Sequence, residues 1–213
     1  HDITKKIDID VDEIYNLACP ASPIQYQNNP IKTLKTSVIG SINLLDLALK
    51  NNSKILQAST SEIYGNPLLH PQVENYWGNV NPIGTRACYD EGKRCAETLF
   101  IDYKRQYKIN IRIARIFNTY GPRQRNDFVI SLFIESALAN KPIQIYGDGS
   151  QTRTFCHVED TANCITSLLN PSINIESINI GSEVQITINE LAQKIIQLTN
   201  SSSEIRYMPA LPK

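Results

Sequence analysis

The chain has 213 residues, 41% of them hydrophobic, and 21 basic side chains that balance 21 acidic ones to a formal charge of zero. The apolar share fills a sizeable core and excludes a disordered chain, while the even charge excludes the basic excess that nucleic-acid-tracking or membrane-surface proteins need. No apolar run approaches the roughly 20 residues that span a bilayer, and at roughly 150 residues per domain the length predicts one large domain with, at most, an appendage.

In chain order, residues 14–18 form a short apolar run that enters a segment holding Pro20, Pro23 and Pro30, the pattern of a buried strand leading into a turn. Leu34, Val38, Ile42, Leu45 and Leu49 recur at a helical period across 31–50. Residues 54–59 read as the next strand. The stretch 66–84, broken by Pro67, Pro71 and Pro82, reads as loop. A long helix over 85–107 and a strand over 111–117 follow. Beyond Gly121 the pattern predicts a helix over 128–140, a strand over 143–146, a turn at 147–150 and a strand over 152–157. Helices over 159–169 and 189–199 then flank a strand at 177–180.

Strands alternating with helices imply parallel pairing through right-handed crossovers, an α/β architecture of the doubly wound type. The texture predicts a first portion over 1–125 and a smaller α/β portion over 126–213. In open sheets of this kind ligands sit beyond the carboxyl ends of the strands. The polar segments 18–26, 59–65 and 118–125 fall at those ends.

The five cysteines, Cys19, Cys88, Cys95, Cys156 and Cys164, are odd in number, contain no CxxC pair and have no histidine cluster beside them. That spacing argues against a disulfide framework and against a zinc or other metal site. It predicts free thiols in a reducing, cytoplasmic compartment.

Tyr89 and Lys93 stand four residues apart on the predicted helix and so share one face. A phenol is a poor base near neutrality, and a neighbouring ammonium favours the phenolate that could take a proton from an alcohol. Thr60, at the end of the preceding strand, could hydrogen-bond the same oxygen. Taken alone, YxxxK pairs are common on surface helices and Thr60 is equally a turn cap.

A strand-end Ser or Thr followed by YxxxK on the next long helix is the catalytic arrangement of short-chain dehydrogenases. The chain resembles the extended short-chain dehydrogenase/reductase family of nucleotide-sugar enzymes, and within it the UDP-glucuronate decarboxylase branch. The resemblance is carried by LACPASPIQYQNNPIKTLKT (17–36), STSEIYG (59–65), YWGNVNPIGTRACYDEGKRCAETL (76–99), RIFNTYGPR (115–123) and YGDGSQTRTF (146–155). It implies a Rossmann-like doubly wound sheet with a C-terminal substrate-binding portion, bound NAD and a UDP-sugar substrate. The reaction implied is C4 oxidation, loss of CO2 from the resulting β-keto acid, and re-reduction to UDP-xylose.

By that resemblance the catalytic set is Thr60, Ser61, Glu62, Tyr89, Lys93 and Arg153. Tyr89 would be the base and Lys93 would hold the nicotinamide ribose. Glu62 would assist at C5 or position the ring, and Arg153 would face the carboxylate. Related 4,6-dehydratases carry Asp-Glu after the threonine; Ser61 in that place disfavours loss of water. Asp2, Ile3, Leu17, Ala18, Cys19, Thr36, Ala58 and Thr119 match cofactor positions, and Lys35, Asn43, Tyr103, Asn118 and Arg123 match substrate positions. The resemblance also implies a homodimer built on the helices over 31–50 and 85–107, with no nucleic-acid partner.

The family's glycine-rich dinucleotide turn, which lets backbone amides approach a pyrophosphate, is not among the 213 residues. The match starts at the family's third strand, so two strands and two helices are expected before His1, and a membrane anchor could lie there too. The family's Asn-Asp-Gly-Arg loop is here Asn126-Asp127-Phe128-Val129, without its arginine. Two other readings stay open: a nucleotide-sugar 4-epimerase or 4,6-dehydratase, and a catalytically silent module that binds a nucleotide or a partner.

Overall fold

The structure, a computed structural model, describes residues 1–210. Its elements begin with β1 (Glu13–Asn16), α1 (Pro23–Asn28), α2 (Pro30–Asn51), β2 (Lys54–Thr60), a 3-10 turn (Ser61–Tyr64), α3 (Ala87–Tyr107) and β3 (Ile111–Ile116). They continue through β4 (Thr119–Tyr120), α4 (Val129–Leu138), β5 (Ile143–Tyr146), β6 (Thr152–Thr154), β7 (Cys156–His157) and α5 (Val158–Leu168). The last are β8 (Ser177–Ile180), β9 (Gln185–Thr187), α6 (Ile188–Thr199) and β10 (Ile205–Met208).

Six of the seven residues of β2 are buried, as a strand covered on both faces requires. Its neighbours are parallel, in the order β1-β2-β3-β8. Successive side chains point to opposite faces. Thus Ile55 joins Leu45, Phe100 and Ile111 in one core cluster, fed by α2 and α3. The next residue, Leu56, joins Ala114, Leu168 and Ile180 in another. The helix-strand alternation read from the sequence produces this parallel, Rossmann-like sheet.

Two compact units are present. The first comprises His1–Phe117 and Thr161–Ile180, the second Asn118–Asp160 and the residues from Gly181 onward. The sequential division expected at residue 125 does not coincide with them, because the chain returns to the first unit to add β8. In the second unit β5 pairs in parallel with β10 and β6 antiparallel with β9. Its core gathers Phe133, Ile143, Ile145, Leu191 and Ile195.

Two local readings are corrected. The proline-bearing segment after β1 contains a helix: Ser22 accepts from Gln25 N at 3.4 Å as N-cap, and Pro23 occupies the first turn. Proline costs nothing there, since that N–H has no intrahelical partner in any case. Pro30 starts α2 in the same way, with Asn29 accepting from Lys32 N. The single strand expected over 152–157 is two strands, because β6 pairs with β9 whereas β7 pairs with β4.

Candidate active site

At the carboxyl end of β2, Thr60 caps the 3-10 turn, its Oγ1 accepting from Glu62 N at 3.2 Å. The same hydroxyl also acts on the Tyr89 phenol, opposing the rise that burial gives it. Gly65 ends the turn at φ +63°, and a Cβ there would lie 2.2 Å from Asn79 O. Only glycine allows the loop to pass so close. Ser61 and Glu62 are thereby held just beyond the strand end.

From α3, Tyr89 and Lys93 project from one face, both buried, with the Lys93 Nζ 5.9 Å from the Tyr89 ring centroid. The ammonium donates to Ala58 O, the residue two before Thr60, at 2.7 Å. Burial dominates the electrostatics. It pushes the Tyr89 phenol above its ordinary value, against the Thr60 hydrogen bond that lowers it, and it pulls the Lys93 ammonium down. The phenol is therefore protonated at rest.

Three neighbours escaped the sequence reading. Tyr26, from α1, stacks on Tyr89 with ring centroids 4.9 Å apart and planes 9° apart. Arg86, just before α3, is ion-paired with Glu62. Asp90 is buried next to Tyr89, and burial raises its carboxyl to about 6. Tyr26 lies inside a segment quoted above. Asp90 is an acid placed among packed helix positions, and that signal could have flagged it.

The residues matched to the cofactor divide by location. Leu17 and Ala18 are exposed beyond the end of β1, while the Cys19 thiol lies 3.3 Å from Ser37 Oγ on α2. Thr36 is buried and donates to Lys32 O at 2.9 Å. Asp2 is held by Thr4, whose backbone N–H and hydroxyl lower its carboxyl. Ile3 packs over Gly40. Thr119 belongs to the second unit, where its carbonyl accepts from Gln124 Nε2 at 2.7 Å.

Of the residues matched to substrate, Lys35 is exposed on α2. Further along that helix, Asn43 donates to Ile3 O at 2.8 Å. Tyr103 donates to Asp46 at 2.7 Å, and its burial, with that bond, raises it to about 12. Fourteen residues separate it from Tyr89, about 21 Å along the helix. The structure does not bring Tyr103 to the Thr60–Tyr89 cluster. Asn118, Arg123 and Arg153 lie in the second unit. There Asn118 donates to Thr154 O at 3.1 Å, and Arg123 is exposed at φ +66°. Arg153 stands exposed on β6, opposite Ile186.

Residues 3–210 match the family described as GDP-mannose 4,6 dehydratase. The chain belongs to that family. UDP-glucuronic acid decarboxylase 5 of Arabidopsis thaliana is 53% identical over 214 residues, covering 100% of this chain and 62% of the relative. UDP-glucuronic acid decarboxylase 1 of Danio rerio is 51% identical over 211 residues, covering 98% of this chain and 50% of the relative. Among solved structures, a UDP-glucuronic acid 4-epimerase from Bacillus cereus, in complex with UDP-glucuronic acid and NAD, superposes with a TM-score of 0.84 at 27% identity. That match covers 95% of this chain and 64% of the epimerase. The chain thus spans between half and two thirds of the length of these proteins.

Proposed function

We propose that this protein decarboxylates UDP-glucuronic acid to UDP-xylose through a C4 ketone, with NAD as a recycled cofactor. The observation that carries the reading is the cluster at the end of β2: a buried tyrosine, a buried lysine 5.9 Å from its ring on the same helix face, and the threonine that ends the strand. The decarboxylases among its relatives support the choice of reaction.

The donor set suits the dinucleotide. Lys93 has three N–H donors and spends one on Ala58 O, which leaves the ammonium able to hold a ribose. Leu17, Ala18 and Cys19 provide an open loop at the strand end, with Thr36 and Ala58 beside it. Bound NAD would supply the hydride acceptor for C4 and, once reduced, the hydride that restores it.

Tyr89 takes the proton of the C4 hydroxyl, and Thr60 steadies the oxygen as charge moves through it. The ketone then stands β to the carboxylate. The C5–C6 bond breaks, CO2 departs, and the electron pair is held as an enolate on O4. A proton is added at C5, near Glu62. Reduction at C4 is completed as Tyr89 returns its proton, so no net redox change results. Ser61 lacks the acidity to expel a C6 hydroxyl.

The test is incubation of the protein with UDP-glucuronic acid and NAD, following CO2 and the nucleotide product. CO2 with a UDP-pentose is expected, and Tyr89→Phe should lower the rate at least about 10²-fold. A UDP-hexuronic acid epimer without CO2 would establish the epimerase instead. No conversion at all would favour the silent binding module.

We further propose a homodimer through α2 and α3. In support, α2 leaves Ile31 at 65%, Ile39 at 39% and Leu49 at 39% exposure, apolar side chains that a second copy would cover. Sedimentation at micromolar concentration should give a dimer; a monomer would defeat the proposal.

A further inference from the structure

Next to Tyr89 lies a charge cluster that the proposed steps leave unexplained. Arg86 is ion-paired with Glu62 and stands one helical turn before Asp90, whose backbone N–H donates to the Arg86 carbonyl at 3.1 Å. Asp90 is 7% exposed, and its Oδ1 has no hydrogen-bond partner. The hydroxyl of Tyr26, 1% exposed, is also without one, although its ring is stacked on Tyr89. A buried carboxylate oxygen with no partner is costly to keep. Arg86, the cation one turn before it, is already engaged by a second carboxylate.

A guanidinium presents a rigid fork of five donors and can serve two carboxylates at once. We propose that Arg86 is a positioning residue shared between Glu62 and Asp90, which orients Glu62 toward the sugar, with Asp90 setting how tightly Arg86 holds it. Glu62 lies two residues past the hydroxyl that touches Tyr89, so its orientation decides whether a carboxylate reaches the reacting carbons. The charged and titratable groups facing this cluster are Cys19, Tyr26, Cys88, Tyr89 and Glu91, besides the three named. The rate part of this inference rests on the decarboxylase reading, whereas the sharing of Arg86 does not.

Two measurements separate them. Carboxyl carbon NMR of the intact protein should place the Asp90 titration midpoint at about 6. That midpoint should move up in Arg86→Ala, which removes the cation, and down in Glu62→Gln, which removes the competing anion. A midpoint unmoved by Arg86→Ala would overturn the sharing, whatever reaction the protein catalyses. In the decarboxylase assay, Arg86→Ala should lower kcat about 10²-fold, with KM changed less than threefold. Arg86→Lys should restore at least about tenfold of that loss, because one donor point replaces part of the fork. Asp90→Asn should lower kcat as well, and the double variant should be no slower than Arg86→Ala alone. Multiplying effects, or a change in KM only, would refute the positioning role. If the wild type releases no CO2, the decarboxylase reading fails and the titration alone decides whether Arg86 is shared.

Discussion

Tyr89, Lys93 and Asp90 lie within one turn and a half of a single helix, and burial acts on each differently. It keeps the phenol protonated, weakens the ammonium's hold on its proton and lifts a carboxyl to about 6. For Asp90 this is a statement about stability. Its folded value lies above the ordinary 3.8, so the folded chain binds that proton more tightly than the unfolded one. The contribution is fully present below pH 4 and is lost as the pH rises through 6. Asp90→Asn should therefore be more stable than the wild type at pH 7.5, by on the order of 1–3 kcal/mol. At pH 4 the two should unfold at nearly the same urea concentration. An equal gap at both values would show that Asp90 is not the group responsible.

At the scale of elements, a buried network ties β2 to α3. Ser59 on β2 donates to Glu97 on α3 at 2.5 Å, and Arg115 on β3 grips both Glu97 oxygens, the shortest contact being 2.8 Å. Arg115 also donates to Tyr64 Oη, which donates in turn to Asn179 on β8 at 2.8 Å. Glu97 is one turn beyond Lys93 and two beyond Tyr89, so the ion pair sets the depth at which that helix face meets the end of β2. The paired side chains are only 11% and 12% exposed. Glu97→Ala would strand the arginine and should cost about 3–5 kcal/mol. Urea unfolding at neutral pH measures it, and a loss below about 1 kcal/mol would mean that water or Tyr64 replaces the carboxylate. The strands and long helices joined here were legible because their apolar periods of 2 and 3.6 extend over enough residues. α1 was not, because six residues carry too short a period and its prolines resemble breakers until Ser22 is seen to cap them.

Across the whole molecule, two compact units share a chain that crosses between them more than once, at Phe117 and again to bring β8 home. Nothing in local composition marks such a return, since β8 belongs to the first unit only through its pairing with β3. The same distinction runs through the site. Alternating periodicity and the spacing of Thr60, Tyr89 and Lys93 determined the parallel sheet, the strand end and the shared helix face, for these depend on bonds and turns within short segments. Tyr26 over Tyr89, Arg86 against Glu62, the unpartnered Oδ1 of Asp90 and Tyr103 tied to Asp46 were decided by tertiary structure alone. Each joins segments whose approach depends on how helices pack on a sheet, and burial, which alters a proton's affinity most, exists only once that packing is complete.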